Sequence, residues 1–349
     1  LQSRQRPGSS VQYDIFRADM DMKDFEVLMV EGTNPSGVAM TRDILAAATL
    51  FAARQGEAAP TWGFYSPMGG RVHLQGGISA ETLRLPGRMK NSKSILLIPG
   101  IWVENPRELA ERIKADDCQR AIRSIANHVA GGGQVAASCS AVFLLQAAGV
   151  LAGRQATTTW WLAPELSRMA KDTKVTPNRI LCVDGPVITA GAAFAQSDVM
   201  LYLLRKRFGT RVADGVSRVL LLHERSEQAQ FVVPSMLASG DALVTRLTQR
   251  VESSLPAVPL VPELAKELCV SERTLGRHVR RATGMGTSDM IQSIRLHRAR
   301  SLLQNSRMNI EQVAVAVGYQ DATALRRLMR KVGGASPSQF RSAASVGTP

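Results

Sequence analysis

A chain of 349 residues with 43 Lys and Arg against 29 Asp and Glu, a formal net charge of +14, is long enough for two ordinary domains and attracts anions. From Asp241 onward 16 Lys and Arg face 8 Asp and Glu, so the C-terminal part is the one suited to phosphate. Four cysteines, Cys118, Cys139, Cys182 and Cys269, show no Cys-x-x-Cys or His-paired spacing, which argues against a zinc site or a disulfide framework and fits a reducing cytoplasm; no metal or cofactor is expected.

The opening "LQSRQRPGSS" lacks the apolar stretch of an export signal, so residues 1–24 read as a flexible leader. Phe25 to Val30 is an apolar run ended by Glu31-Gly32, the look of a fully buried parallel strand. Thr41 to Arg54 carries Ile44, Leu45, Ala48 and Phe51 at helical spacing. Trp62 to Ser66 and Ser94 to Ile98 read as further strands, with "RVHLQGGISAETL" between them as a hairpin or edge element. Pro99-Gly100 breaks the chain at a strand's C-terminal end, where open α/β sheets place ligands.

A helix is expected from Pro106 or Glu111 to Val129, and then "GGGQVAASCSAVFLLQAAGVLAG" supplies turn, strand, sharp turn and buried helix. The uncharged stretch from Val135 to Gly153 holds Ser138, Cys139, Ser140 and Gln146, which speaks against a membrane span. Strands around Ile180–Val183 and Val187–Thr189 and a helix from Ala195 to Phe208 complete a three-layer α/β domain. Phe231 to Gly240, with Pro234, Ser235 and Gly240 as breakers, is the expected linker, and Asp241 caps a helix that turns Leu243, Leu247 and Val251 inward.

The stretch from Val261 to Lys331 holds one pattern twice. Leu264, Ala265 and Leu268 lead into a turn at Cys269-Val270, and Ser271 then opens a helix with Leu275 and Val279 inward. Val313, Ala314 and Val317, the turn Gly318-Tyr319, and Asp321 with Leu325 and Met329 repeat it, offset by 49 residues before the turn and 50 after it. Ser271 and Asp321 suit the capping position of each second helix. Arg273, Arg277, Arg280 and Arg281 decorate the first such helix; Arg326, Arg327, Arg330 and Lys331 decorate the second. A single charged helix face is as often merely solvated, but two equivalent ones behind tight turns suit the DNA major groove, where Arg reads guanine.

Residues 241–341 resemble the DNA-binding domain of the AraC/XylS transcription regulators, through "LAKELCVSERTLGRHVRRATG", "RLHRARSLL", "IEQVAVAVGYQDATALRRLMRKVGGASPSQFR", the Gly318-Tyr319 turn and the closing Ser336-Pro337. In "TGMGTSDM" the Ser-Pro usual after Thr-Gly is missing, so the linker helix starts at Thr287 or Ser288 and runs to Asn305. The resemblance implies that Arg273, Arg277, Thr323 and Arg327 point at bases and that Thr274, Arg281, Arg330 and Lys331 meet phosphates, with Ser271 and Arg326 on the same DNA face. Double-stranded DNA with a bipartite operator is the implied partner, and RNA polymerase a second one for an activator.

Residues 25–230 resemble the amidotransferase-like members of the PfpI superfamily, flavodoxin-like α/β sandwiches, through "VAASCSAVFLLQAAGVLAGRQATTTW", "LLIPG" and "VITAGAAFAQSD". The expected fold is therefore a flavodoxin-like three-layer α/β sandwich followed by an all-α domain with two helix-turn-helix motifs and a tail, residues 342–349. The superfamily holds a thiolate nucleophile on a strained strand-to-helix turn, the position of Cys139. Its catalytic His position carries Thr159, and "NPSGV" lacks the acid that some relatives place there, so no catalytic residue is expected. A cysteine-dependent hydrolase or amidotransferase-like enzyme is the competing reading. What remains is binding: Gly100, Ile101, Trp102, Cys139, Ser140, Thr158, Thr159, Trp160 and Gly191 are expected to converge on a crevice for a small effector, aided by the N-terminus of the helix after Cys139. For Trp160 ordinary core packing is an equal alternative. A homodimer built by this domain is expected because such domains commonly pair.

Overall fold

Strands that are apolar at nearly every position need cover on both faces. The computed structural model, which describes residues 23–86, 94–222, 241–333 and the single residues 228, 236 and 337, provides it. The first half runs β1 (Phe25–Leu28), α1 (Pro35–Gln55), β2 (Trp62–Ser66), β3 (Gly70–His73), β4 (Ser79–Arg84), β5 (Ile95–Ile98), α2 (Pro106–Lys114), α3 (Asp116–Ala130) and β6 (Gln134–Ser138). It continues through α4 (Val142–Ala147), β7 (Gln155–Ala156), α5 (Ala163–Met169), β8 (Lys174–Val175), β9 (Leu181–Asp184), β10 (Val187–Ala190), α6 (Gln196–Phe208) and α7 (Thr210–Val219).

The main sheet has the order β3-β4-β2-β1-β5-β6-β10-β9. Its centre is parallel, and β3 and β9 close the two edges as antiparallel strands. Leu28, Leu96 and Val135 pack with Leu109 of α2, Ile125 of α3, Phe143 of α4 and Leu166 of α5 on one face. Phe25, Val27 and Ile188 pack with Ile44 of α1, Val199 of α6 and Val212 of α7 on the other. This is the flavodoxin-like three-layer sandwich expected.

Three expectations shift. Helix α1 begins at Pro35, not near Thr41, because proline at the first helical position loses no bond and presets φ. The single helix expected up to Val129 is two: Ala115 is extended (ψ 149°), and Arg112 folds back to donate 2.8 Å to Asp117 Oδ1. The helix behind Cys139 is only six residues long after a 3-10 turn, too short to aim a dipole at a ligand.

The second half is helical: α8 (Ala242–Ser254), α9 (Val261–Glu267), α10 (Glu272–Thr283), α11 (Thr287–Asn305), α12 (Ile310–Ala316) and α13 (Ala322–Gly333). It has two cores. Leu247, Leu264, Leu275 and Val279 pack with Met290, Ile291 and Ile294 from the first half of α11. Val313, Val317, Leu325 and Met329 pack with Leu296, Ala299 and Leu303 from its second half. Helix α11 starts at Thr287, which settles the choice the sequence left open. The leader up to residue 22, the linker expected at 231–240 apart from Met236, and the tail at 342–349 lie outside the described residues.

Candidate DNA interface and sensor crevice

The turn of each helix-turn-helix opens on a residue in left-handed backbone: Cys269 (φ 58°) between α9 and α10, and Gly318 (φ 85°) between α12 and α13. A Cβ at Gly318 would lie 2.3 Å from the Pro256 carbonyl oxygen, so the second turn needs glycine for space as well as for φ. The cap residues act as expected. Ser271 Oγ accepts the Thr274 N–H at 3.1 Å, and an Asp321 carboxylate oxygen accepts those of Thr323 and Ala324 at 2.7 and 3.0 Å. The N–H bonds from Ala324 and Thr323 hold the Asp321 carboxyl below its ordinary range.

Once Leu275 and Val279 are buried, helical spacing leaves Arg273, Arg277, Arg280 and Arg281 on the outside of α10. Arg273, Arg277 and Arg280 wall a shallow groove of about 470 Å³ with Gly276, Gly286 and Thr287. On α13, Leu325, Leu328 and Met329 turn inward and Thr323, Arg326, Arg327 and Arg330 stay exposed. Not every expected contact is equally available. Arg281 donates 3.0 Å to Asp241, which also takes His278 Nδ1 at 2.8 Å, and Arg326 donates 3.2 Å to Glu311. Thr274 is half-buried against Ser271, and the Lys331 side chain lies outside the described residues. Burial opposes it, yet the bonds from His278 and Arg281 lower the Asp241 carboxyl's pKa, so this acid ties the start of α8 to α10 as an ion.

In the sheet, β5, β6 and β10 end side by side and deliver Gly100, Cys139 and Gly191 to one place. Cys139 sits at φ 57°. Its N–H donates to the Gly191 carbonyl at 2.7 Å, and its carbonyl accepts the Thr158 hydroxyl at 2.7 Å. Ser140 Oγ accepts the Ile101 N–H at 2.9 Å, locking the two loops together. A Cβ at Gly100 would stand 2.9 Å from Cys139 Cβ, so the backbones touch here. Thr159 is buried, and its carbonyl accepts the N–H groups of Leu162 and Ala163.

The geometry differs from an open crevice. Burial, against the hydrogen bonds from Ser140, pushes the Cys139 thiol up to about 11, which keeps it protonated near neutral pH. Among the described histidines, His73 pairs with Glu31, His128 bonds the Gln134 carbonyl, His278 pairs with Asp241 and His297 lies on α11. The space beside Gly191 is filled by the Gln228 side chain, which the sequence pattern did not single out. Trp102 is half-exposed, and Trp160 lines a separate cleft of about 570 Å³ between the α/β half and the helices, with Pro164, Arg280 and Arg300.

Against family models, residues 264–343 match the helix-turn-helix domain and residues 95–206 match the DJ-1/PfpI family. The chain joins a DJ-1/PfpI domain to an AraC-type helix-turn-helix domain. Curated relatives match beyond either single domain. The HTH-type transcriptional regulator GlxA of Rhizobium meliloti (strain 1021) is 25% identical over 280 residues, 79% of this chain and 83% of that protein. The HTH-type transcriptional regulator CdhR of Pseudomonas aeruginosa is 27% identical over 209 residues, 59% of this chain and 62% of that protein. Among solved structures, an AraC family transcriptional regulator from Pseudomonas putida is similar at 21% identity and TM-score 0.46, covering 56% of this chain and 98% of that one. Drosophila melanogaster DJ-1beta is similar at 17% identity and TM-score 0.43, covering 58% of this chain and all of that one. Among the described residues no helix is long and apolar enough to cross a membrane.

Proposed function

We propose that this protein is a sequence-specific DNA-binding transcription regulator whose DJ-1/PfpI domain is a non-catalytic sensor of a small metabolite. The observation that carries the reading is the pair of N-capped helices α10 and α13. Each follows a left-handed turn and exposes polar side chains, Arg273 and Arg277 on one, Thr323 and Arg327 on the other. The 19-residue α11 joins the two motifs and spans roughly 30 Å, close to one turn of DNA. One protomer then reads two successive major-groove segments with Arg273, Arg277, Thr323 and Arg327, while Arg330 and Lys331 meet phosphates. The non-catalytic part of the reading is supported by a buried Cys139, whose thiol pKa is pushed up to about 11 by burial, with Thr159 in place of a base.

In this role the protein works in the cytoplasm as a homodimer on a bipartite operator, and an activating member contacts RNA polymerase. An effector shifts operator affinity only by its differential binding, about 1 to 3 kcal/mol for a several-fold to hundred-fold response. Footprinting on operator DNA tests the layout: two protected segments about one turn apart per protomer are expected, and protection of one segment alone overturns it. Light scattering tests the dimer against a 37.7 kDa monomer. Ser140→Ala, which removes the bond from the Ile101 N–H without adding bulk, should weaken the effector response while leaving basal DNA binding intact.

A further inference from the structure

Helix α5 of the α/β half rests against the end of α10: a Cβ at Gly284, the residue after that helix, would lie 3.8 Å from Pro164 Cγ. Beside this contact the α/β half and the helices enclose the cleft of about 570 Å³ that Trp160 lines. Ligand pockets of about 300 to 1,000 Å³ form preferentially at such domain boundaries. The lining is of two kinds. Trp160, only 9% exposed, gives an apolar wall together with Pro164 and Met285, while Arg280 from α10 and Arg300 from α11 supply two guanidinium groups. Arg300 is 6% exposed and burial lowers its pKa to about 10, so an anion beside it offsets part of what its charge loses on leaving water. The one acid among the described lining residues, Asp289, sits in the first turn of α11 with Oδ2 3.2 Å from where a Cβ on Gly286 would be, so the positive end of its own helix already compensates it.

We propose that this cleft is a second ligand site, apart from the crowded crevice at Cys139, for a small carboxylate with an apolar body: the carboxylate meets Arg280 and Arg300, and the body lies along Trp160. Guanidinium groups take carboxylates through paired, charge-assisted hydrogen bonds. A bare inorganic anion leaves the Trp160 wall unused, and a neutral apolar molecule leaves the two cations unanswered. Arg280 also walls the groove on the outer face of α10, so the ligand and a DNA phosphate compete for one cation. That consequence rests on the reading of the chain as an effector-controlled regulator, whereas binding in the cleft does not.

The test uses the full chain without DNA, with 3-phenylpropionate as probe and its neutral amide, 3-phenylpropanamide, as control at equal ionic strength. Tryptophan fluorescence should change saturably with the acid, Trp160→Phe should remove most of that change, and the amide should bind about tenfold more weakly or less. Arg280→Gln, at an exposed position of α10, should weaken the acid about tenfold. Arg298→Gln removes the same charge from an exposed position of α11 outside the cleft lining and should leave the acid's affinity as it was. No saturable change, equal binding of acid and amide, or equal weakening by the two arginine variants overturns the proposal. On operator DNA the acid should lower affinity several-fold in the parent and not in Arg280→Gln. If binding follows this pattern but operator affinity ignores the acid, the regulatory reading fails and the ligand site stands.

Discussion

Cys269 and Gly318 stand at the same point of two turns 49 residues apart, and both hold a left-handed backbone, φ 58° and 85°. Only one of them is the residue that geometry favours. Cys269→Gly removes the Cβ clash of that conformation, offset by glycine's greater freedom when unfolded, and should stabilise the domain by about 0.5 to 1 kcal/mol. Gly318→Ala puts a methyl 2.3 Å from the Pro256 oxygen and should cost more than about 2 kcal/mol. Urea midpoints at unchanged slope measure both.

Arg277 and Arg330 are both exposed, yet they should fail differently. Arg277→Ala should cost roughly 1 to 3 kcal/mol on the preferred site and relax discrimination there. Arg330→Ala should weaken all sequences alike and lower the salt slope by about one. Titrations at several salt concentrations on operator and scrambled DNA separate the two, and identical profiles would contradict the assignment.

Cys139 and Cys269 form an internal control for thiol chemistry, since the first is buried with its pKa near 11 and the second is exposed. Iodoacetamide at pH 8 should label Cys269 and spare Cys139, as read by peptide mass. Cys139→Ala should leave rates on amide, ester and glyoxal substrates at the level of the parent. Turnover that disappears in this variant would restore the enzyme reading.

Glu26 is buried in β1, and one of its carboxylate oxygens has no hydrogen-bond partner among the described residues. Burial, only partly opposed by Ser94, raises its pKa from 4.5 to about 7. Between those values the folded protein keeps a proton that the unfolded chain has lost, so stability falls as pH rises through that window and levels off above it. The loss is roughly 3 kcal/mol. Glu26→Gln should flatten the dependence and be the more stable protein at pH 8 but not at pH 4.5, by urea melts of the α/β domain.

The parts of this architecture that announce themselves in the chain obey a local rule. Strands β1, β5 and β10 are buried throughout and read as nearly unbroken apolar runs, and the two helix-turn-helix units repeat residue by residue. Glu26 hides inside such a run, because one acid among five apolar neighbours does not disturb the pattern. The break at Ala115 is equally silent, since it is stabilised from a distance by Arg112 on Asp117. Gly100, Cys139 and Gly191 could be grouped from strand order alone, but the plug beside them could not. Gln228 is held by the carbonyl oxygens of Thr158 and Pro177, and main-chain oxygens leave no signature in a sequence.

Helix α11 gives half its length to each core, with Met290, Ile291 and Ile294 on one side and Leu296, Ala299 and Leu303 on the other. It is thus an axle on which two reading heads are keyed at a fixed angle. Adding one residue between Arg295 and Leu296 lengthens it by only about 1.5 Å but rotates the second head by about 100°. For a bipartite operator the stringent variable is then angular phase, not distance. On the proposed reading, substitutions that keep its apolar faces should be tolerated better than insertions or deletions, and an operator that loses a base pair between its two segments should bind more weakly because the second segment is turned out of phase.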